Sequence, residues 1–295
     1  MSKTDQTTEI ATKQDALRVT SRTITVGELE QALLELFPAS DAESWDRTGL
    51  LVGDPRAVIS GVAVALDATP RAVRAAQHIG ANVLVTHHPA FLDPPCRIMP
   101  ASSSTWGPAA TVWEALDAGI ALMNFHTTLD VSPAASSVLP GLLGLTFNSI
   151  VDRIPASELE KGYGQLCHVA SDSPLTLSDL ACRCAEVFGR PPRVWGRADK
   201  VLSTVVTCTG ATGDLPEHCA RIGADCLVCG EIRYHAALDI VQTGLAVIEL
   251  GHDVSELPLT GVLAAAIETA GFDESRITIL DQSDNWTVPN MMRRQ

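Results

Sequence analysis

The sequence predicts an α/β protein made of two pseudo-repeated lobes, with mainly parallel strands facing a shared metal-binding crevice. Three observations carry this reading. Short apolar segments alternate with helical patterns in both halves, the order that encodes parallel sheets. RAAQHIGANVLVTHH (74–88) and PEHCARIGADCLVCGE (216–231) follow one plan, as do IALMNFHTTLD (120–130) and LAVIELGHDVSE (245–256), so an internal duplication is the economical explanation. Asp67, His87, His88 and His126 fall just beyond strand ends, where open α/β sheets form binding crevices.

Along the chain, residues 1–23 are polar and unpatterned and are expected to form a disordered leader. The first lobe (24–148) opens with a helix over Thr25–Phe37, stopped by Pro38, and a loop carrying Trp45, Asp46 and Gly49 leads to a short apolar segment, Leu50–Val52. The series then runs strand Gly61–Leu66, helix Pro70–Ile79, strand Asn82–Thr86, helix Gly107–Ala118, strand Ile120–Phe125. A connecting segment (149–199) holds one helix, Leu177–Phe188, and Pro/Gly-rich loops. The second lobe (200–285) repeats the plan with strands Val201–Thr207, Asp225–Val228 and Leu245–Leu250 and helices Leu215–Ile222 and His235–Thr243, leaving 286–295 as a tail.

With 295 residues, 46% of them apolar, the chain has ample material for a filled core. No apolar run is long enough to span a membrane, and the N-terminus lacks a secretory signal, so a soluble cytoplasmic protein is expected, with no membrane partner. A net charge of −14 disfavours nucleic acid as a partner, because the 21 basic residues show no cluster. Eight cysteines at irregular positions read as reduced thiols. Cys226 and Cys229 form a CxxC within a buried strand, where residues three apart point to opposite faces and cannot share one zinc; they read as core residues.

The chemistry lies in His87-His88, in His126-x3-Asp130 and in His252-x3-Glu256. Imidazoles mixed with carboxylates suit zinc, iron, manganese or nickel better than calcium, and a carboxylate can bridge two ions whereas an imidazole cannot. Adjacent strand residues point oppositely, so both histidines of the pair face the crevice only where the strand yields to a loop, which Pro89 favours. The His-x3-acid pairs share a face if the chain turns helical after the strand. His78, His168 and His218 read as surface or structural histidines, and His235 is left open between lining the crevice and capping a helix. His126 and Glu231 are the candidate acid/base groups.

The segments SWDRTGLLVGDP (44–55), ALDATPRAVRAA (65–76), GANVLVTHHPAF (80–91), NFHTTLD (124–130), CLVCGEIRYHAALD (226–239) and IELGHDVSE (248–256) together resemble the Nif-three-like family. These are dinuclear-metal-centre hexameric proteins often labelled GTP cyclohydrolase type 2 homologues. The resemblance implies that His87 and His88 bind one divalent ion each, Asp130 helps hold one, His252 binds the other and Glu256 bridges both, with His126 in or beside the shell. It also implies a homohexamer, a trimer of dimers forming a toroid. Arg47 stands where the family commonly has Asn, and Pro133-Ala134-Ala135-Ser136 replaces a glycine-rich turn, so loop contacts to a substrate do not transfer. Two functions follow as expectations: a metal-dependent hydrolase acting on a nucleotide-like or phosphorylated small molecule, or a metal-handling or scaffold hexamer without turnover.

Overall fold

The computed structural model of the chain describes residues 23–102, 104–154, 160–169 and 174–287; residues 1–22 of the expected leader and the last eight residues of the expected tail lie outside the described residues. Helix α1 (Val26–Leu36) starts at Thr25, whose side chain accepts from the Glu28 amide while the Glu28 carboxylate accepts from the Thr25 amide. Such reciprocal capping stabilises by about 1 kcal/mol. The predicted series follows as β1 (Gly49–Val52), β2 (Val62–Ala65), α2 (Pro70–His78), β3 (Val83–Thr86), α3 (Pro108–Ala118) and β4 (Ala121–Asn124). Strands β2, β3 and β4 pair in parallel, and β1 lies antiparallel to β4.

After β4 come three short helices, α4 (Thr127–Asp130), α5 (Pro133–Ser136) and α6 (Val138–Leu142). The next stretch is richer in strands than its sequence suggests. Strands β5 (Thr146–Arg153) and β6 (Gly162–His168) pair antiparallel, then come β7 (Leu175–Thr176), α7 (Leu177–Phe188), β8 (Arg193–Trp195) and β9 (Val201–Leu202). Strand β10 (Thr204–Ala211) pairs antiparallel with β6, and α8 (Leu215–Arg221), β11 (Cys226–Glu231), α9 (Tyr234–Ile240) and β12 (Ala246–Glu249) complete a parallel β10-β11-β12 unit, with β8 antiparallel on its outer edge. The expected connecting segment thus supplies three strands to the second sheet. TFNSIVDR and GYGQLCH carry polar and glycine positions that hide a strand's alternation, so pairing, not local pattern, defines them. The single strand expected over Val201–Thr207 divides at Ser203, because β9 pairs with β7 while β10 pairs with β11.

The chain then returns to its first half. Helix α10 (His252–Glu256) is followed by α11 (Leu259–Thr269) and β13 (Ile277–Ile279), and β13 pairs in parallel with β2. Leu259, Leu263 and Ile267 of α11 share one apolar cluster with Val26, Leu29 and Leu33 of α1 and with Val62, Val64, Val83 and Val85. The expected second lobe, 200–285, is therefore split in space: its last part closes the first sheet.

Both large sheets are covered on both faces, which is why their central strands are mostly apolar. On the other face of the first sheet, Ala63, Ala65 and Leu84 pack against Ala72, Val73 and Ala115 of α2 and α3. In the second sheet Val205, Cys226 and Val228 meet α7, while Val206, Leu227 and Cys229 meet α8 and α9. Cys226 and Cys229 therefore belong to opposite cores, and burial pushes both thiols above the ordinary range, as their reading as core residues requires. Among the described residues no helix is long and apolar enough to cross a membrane.

Candidate metal centre

Parallel strands deliver their C-terminal ends to one edge, and in this chain those ends meet. The first sheet contributes His87 and His88 after β3 and His126 and Asp130 around α4; the second contributes His252 and Glu256 on α10. Because β3 ends at Thr86, His87 and His88 escape the alternation of a strand, and their rings lie 5.0 Å apart between centroids. His252 and Glu256 share a face across one helical turn, with Nε2 3.2 Å from Oε2.

Glu256 is the hinge of the arrangement. Its Oε2 lies 3.0 Å from His88 Nε2, and its Oε1 lies 3.6 Å from His87 Nε2, which is itself 3.5 Å from Asp130 Oδ1. Three groups bring one ligand-type atom from each residue within 4.8 Å of one another: His87-His88-His126, His88-His252-Glu256 and His87-Asp130-Glu256. All the ligand residues named from the sequence are thereby brought together.

The outer nitrogens are all engaged. Nδ1 of His87 lies 3.1 Å from the Phe125 carbonyl, Nδ1 of His88 2.8 Å from Asp67 Oδ1, Nδ1 of His126 3.0 Å from Asp46 Oδ1, and Nδ1 of His252 3.1 Å from Glu231 Oε2. An acceptor on Nδ1 fixes the proton there and leaves the Nε2 lone pair free, the arrangement that orients metal-ligating histidines. Inside the cluster, His87 Nε2 and Glu256 Oε2 are buried without a hydrogen-bond partner. The 3.0 Å approach of His88 to Glu256 Oε2 thus lacks hydrogen-bond alignment. Buried polar atoms left in this way cost free energy unless something between them satisfies both, and a cation does so. The donor set fits a transition metal.

Charge balance agrees. Burial opposes a proton on His87, yet Asp130 and Glu256 outweigh it and raise the pKa; at His88 burial is outweighed by Asp67 and Glu256, which raise it to about 10. At His252 the contact with Glu256 leads, against burial, and raises the value to about 9. Burial pushes Asp130 up, whereas Glu256 stays well below its ordinary value because His252, His87 and His88 outweigh its burial. In the metal-free site imidazolium protons offset the carboxylates, and a metal ion has to displace them.

Asp46, read from the sequence only as a loop residue, and Asp67, read as a strand-end residue without a role, orient His126 and His88. Asp46 also accepts from the amide and hydroxyl of Thr127 at 3.0 and 2.5 Å; burial would raise its pKa, but these bonds and His126 hold it down at about 2. Glu231, expected as an acid/base, lies 3.1 Å from the outer nitrogen of His252, with its own side chain 59% exposed. His78, His168 and His235 are exposed, the last against Tyr234, and His218 pairs loosely with Asp152 at 3.7 Å; His235 therefore joins none of the three clusters. Arg47 donates to the Leu92 carbonyl at 3.0 Å, and Pro133–Ser136 forms α5, capped by Ser132.

A cavity of about 550 Å³ opens on the cluster, lined by His126, Asp130, His252 and Glu256 and walled by Trp45 and Tyr163. Fold and site together define an α/β protein whose strand ends gather histidine and carboxylate groups able to hold metal. A family model described as Duf34/NIF3 (NGG1p interacting factor 3) matches residues 24–285, and the chain belongs to that family. A Streptomyces coelicolor relative named GTP cyclohydrolase 1 type 2 homolog is 31% identical over 273 residues, 89% of this chain and 94% of the relative. Among solved structures, Staphylococcus aureus hypothetical protein SA1388 superposes with a TM-score of 0.79 at 24% identity, covering 90% of this chain and 99% of that one. A Bacillus cereus protein related to NIF3 gives 0.78 at 18% identity, covering 91% and 100%. At these identities the two structures support the fold alone.

Proposed function

We propose that the protein holds two divalent transition-metal ions and uses them in hydrolysis of a nucleotide-like or phosphorylated small molecule. The carrying observation is the division of Glu256: one carboxylate oxygen faces His87, the other faces His88 and His252. One ion would take His87, Asp130 and Glu256, and the other His88, His252 and Glu256. Zinc, iron, manganese and nickel all suit this set. Bound ions of this kind supply Lewis-acid activation of water and of the substrate.

The protein's own groups define the rest. His126 borders the cavity with Nδ1 committed to Asp46, so its Nε2 is the group placed to take or give a proton, and Asp46 remains ionised to support the imidazolium. Trp45, 53% exposed, offers a flat wall beside it. The cavity also carries the carboxylates of Glu43, Asp152 and Asp214 and no Lys or Arg among its lining residues. A polyphosphate chain would be repelled there except at the ions themselves, which favours a substrate whose ring contacts the wall. A GTP-type reaction inherits that constraint.

The cavity supports an enzyme over a metal store, because a structural or cargo site needs no adjoining space for a substrate. We also propose self-assembly as a homohexamer, which the family resemblance implies and for which exposed Trp106, Trp113 and Leu116 offer apolar surface, and a cytoplasmic setting, supported by eight unpaired cysteines. Elemental analysis should find about two transition-metal equivalents per chain, falling sharply in Glu256→Ala; unchanged content would defeat the bridge. Nucleotide and phosphoester panels, repeated with Asp130→Ala, test turnover, and a fully loaded protein that turns over nothing favours the metal-handling alternative.

A further inference from the structure

We infer that the C-terminal segment Asp281–Trp286 is a brace that positions His88 and His252 for ligation by gripping the residues behind each of them; this rests on the metal-site reading above. Strand β13 runs parallel to β2, and the Leu280 amide donates to the Val64 carbonyl at 2.8 Å, so the chain leaves the sheet at the same end as β2 and arrives at Asp67. There the buried Gln282 accepts from the Leu66 and Asp67 amides through Oε1, both at 2.8 Å, and donates to the Asp67 carbonyl at 3.0 Å. Asn285 donates to Asp67 Oδ2 at 3.2 Å, while Oδ1 of the same carboxylate holds His88 Nδ1 at 2.8 Å. Backbone and side chain of Asp67 are thus both held by this one segment.

One residue further on, Trp286 reaches the other sheet's contribution. Its Nε1 donates to Asp253 Oδ2 at 3.0 Å, and its ring lies 3.8 Å beneath the Arg190 guanidinium, which pairs with Asp253 at 3.4 Å. Asp253 follows His252 in α10, so the contact fixes the turn from which that ring projects. A carboxylate that orients a metal-ligating histidine contributes about 10–100-fold in metal affinity. The brace acts one hydrogen bond further out at His88, through Asp67, and through the neighbouring residue Asp253 at His252. Gln282, Asn285 and Trp286 are positioning residues and touch no ligand atom themselves.

The test is zinc(II) affinity by chelator competition on the full-length chain, with the absorption spectrum of the cobalt(II)-loaded protein as a report of coordination. Asn285→Leu and Trp286→Ala should each weaken zinc by a factor of several and the double variant by more than tenfold, with an altered cobalt spectrum. Trp286→Phe, which keeps the ring under Arg190 but loses the N–H donor, should recover part of the loss. Arg71→Ala removes only the exposed pair of Arg71 with Asp284 at 2.9 Å, on the same segment, and should leave both readouts unchanged. Variants that bind zinc like the parent, or an Arg71→Ala loss equal to the others, would overturn the brace. A parent chain that binds no zinc or cobalt overturns the site itself and the brace with it.

Discussion

The two halves of the duplication use the same strand ends in opposite ways. Aligned on the registers Val62↔Val83 and Val205↔Cys226, Asp67 corresponds to Gly210, His87 to Gly230 and His88 to Glu231. Where the first half presents Asp67 and His87, the second has glycine, and only Glu231, opposite His88, carries a side chain, which supports His252. A Cβ at Gly210 would lie 2.2 Å from Glu256 Oε1, and one at Gly230 would lie 2.4 Å from Ser255 Oγ and 2.5 Å from the Gly210 carbonyl oxygen. The missing side chains let α10 settle onto the strand ends and put Glu256 among the histidines of the other half. At these two positions one repeat presents side chains, and its counterpart leaves room for its own Glu256 to lie between the two groups.

The largest expected effect therefore comes from a methyl group. Gly210→Ala keeps every ligand but meets both the Glu256 contact and a backbone at φ +56°, a conformation that costs a side-chain-bearing residue about 1–2 kcal/mol. Metal content measured after purification should collapse as far as in Glu256→Ala. A Gly210→Ala protein with a full metal complement would break the comparison, since the room it describes would then be unnecessary.

A smaller effect separates the two supporting carboxylates. Asp67 is held by Gln282 and Asn285, whereas the Glu231 side chain is 59% exposed. Removing Asp67 with Ala should lower zinc affinity by about 10–100-fold, the range for outer carboxylates, and Glu231→Ala should cost less, because solvent replaces an exposed acceptor cheaply. Titration of the two variants side by side checks the order; equal losses would mean that burial does not set the strength of the support.

The sequence exposed this site unevenly, for physical reasons. His87, His88, His126, Asp130, His252 and Glu256 were legible as ligand-type groups because residue type, a strand end and a helical spacing are local, whereas the roles given to each are what the family resemblance implies. Strands β2, β3, β4, β11 and β12 were legible because each is buried on both faces and reads as an apolar run. The roles of Asp67 and of Glu231 depended on which nitrogen each reaches, which no spacing encodes. Gly210 and Gly230 look like ordinary turn residues until α10 packs on them. The C-terminal part was hidden most completely: no element is predicted between Leu250 and the end of the second lobe at 285, whereas α11 packs on the first sheet and β13 pairs with it.

Proton competition gives a graded effect. Folding raises His88 to about 10 and His252 to about 9 in the metal-free protein, so both rings carry protons at pH 7. These groups stabilise the metal-free fold fully below their unfolded value of about 6.5, and that stabilisation is lost as pH rises through 9 to 10. Zinc binding should release protons at pH 7, and apparent affinity should rise toward pH 9. Calorimetry in buffers of different ionisation enthalpy measures the release; no buffer dependence would mean that the Nε2 atoms are already unprotonated.

The smallest effect at the centre is expected from Cys229, the counterpart of Thr86. The Thr86 hydroxyl donates to the His88 carbonyl at 2.7 Å and so supports the first half's ligands, whereas Cys229 is buried among Val206, Leu227 and Val247. Cys229→Ser places a hydroxyl in that apolar layer at a cost of about 1–3 kcal/mol, which in a chain of this size lowers Tm by several degrees. Metal content and zinc affinity should stay at the parental level, because the thiol faces α8 and α9 and none of the three metal-type clusters includes it. Thr86→Val, which removes the first half's hydroxyl while keeping its shape, should instead weaken zinc measurably with little change in Tm. If serine at 229 emptied the site, the two halves would share a supporting role at this position, and the contrast between their strand ends would fail there.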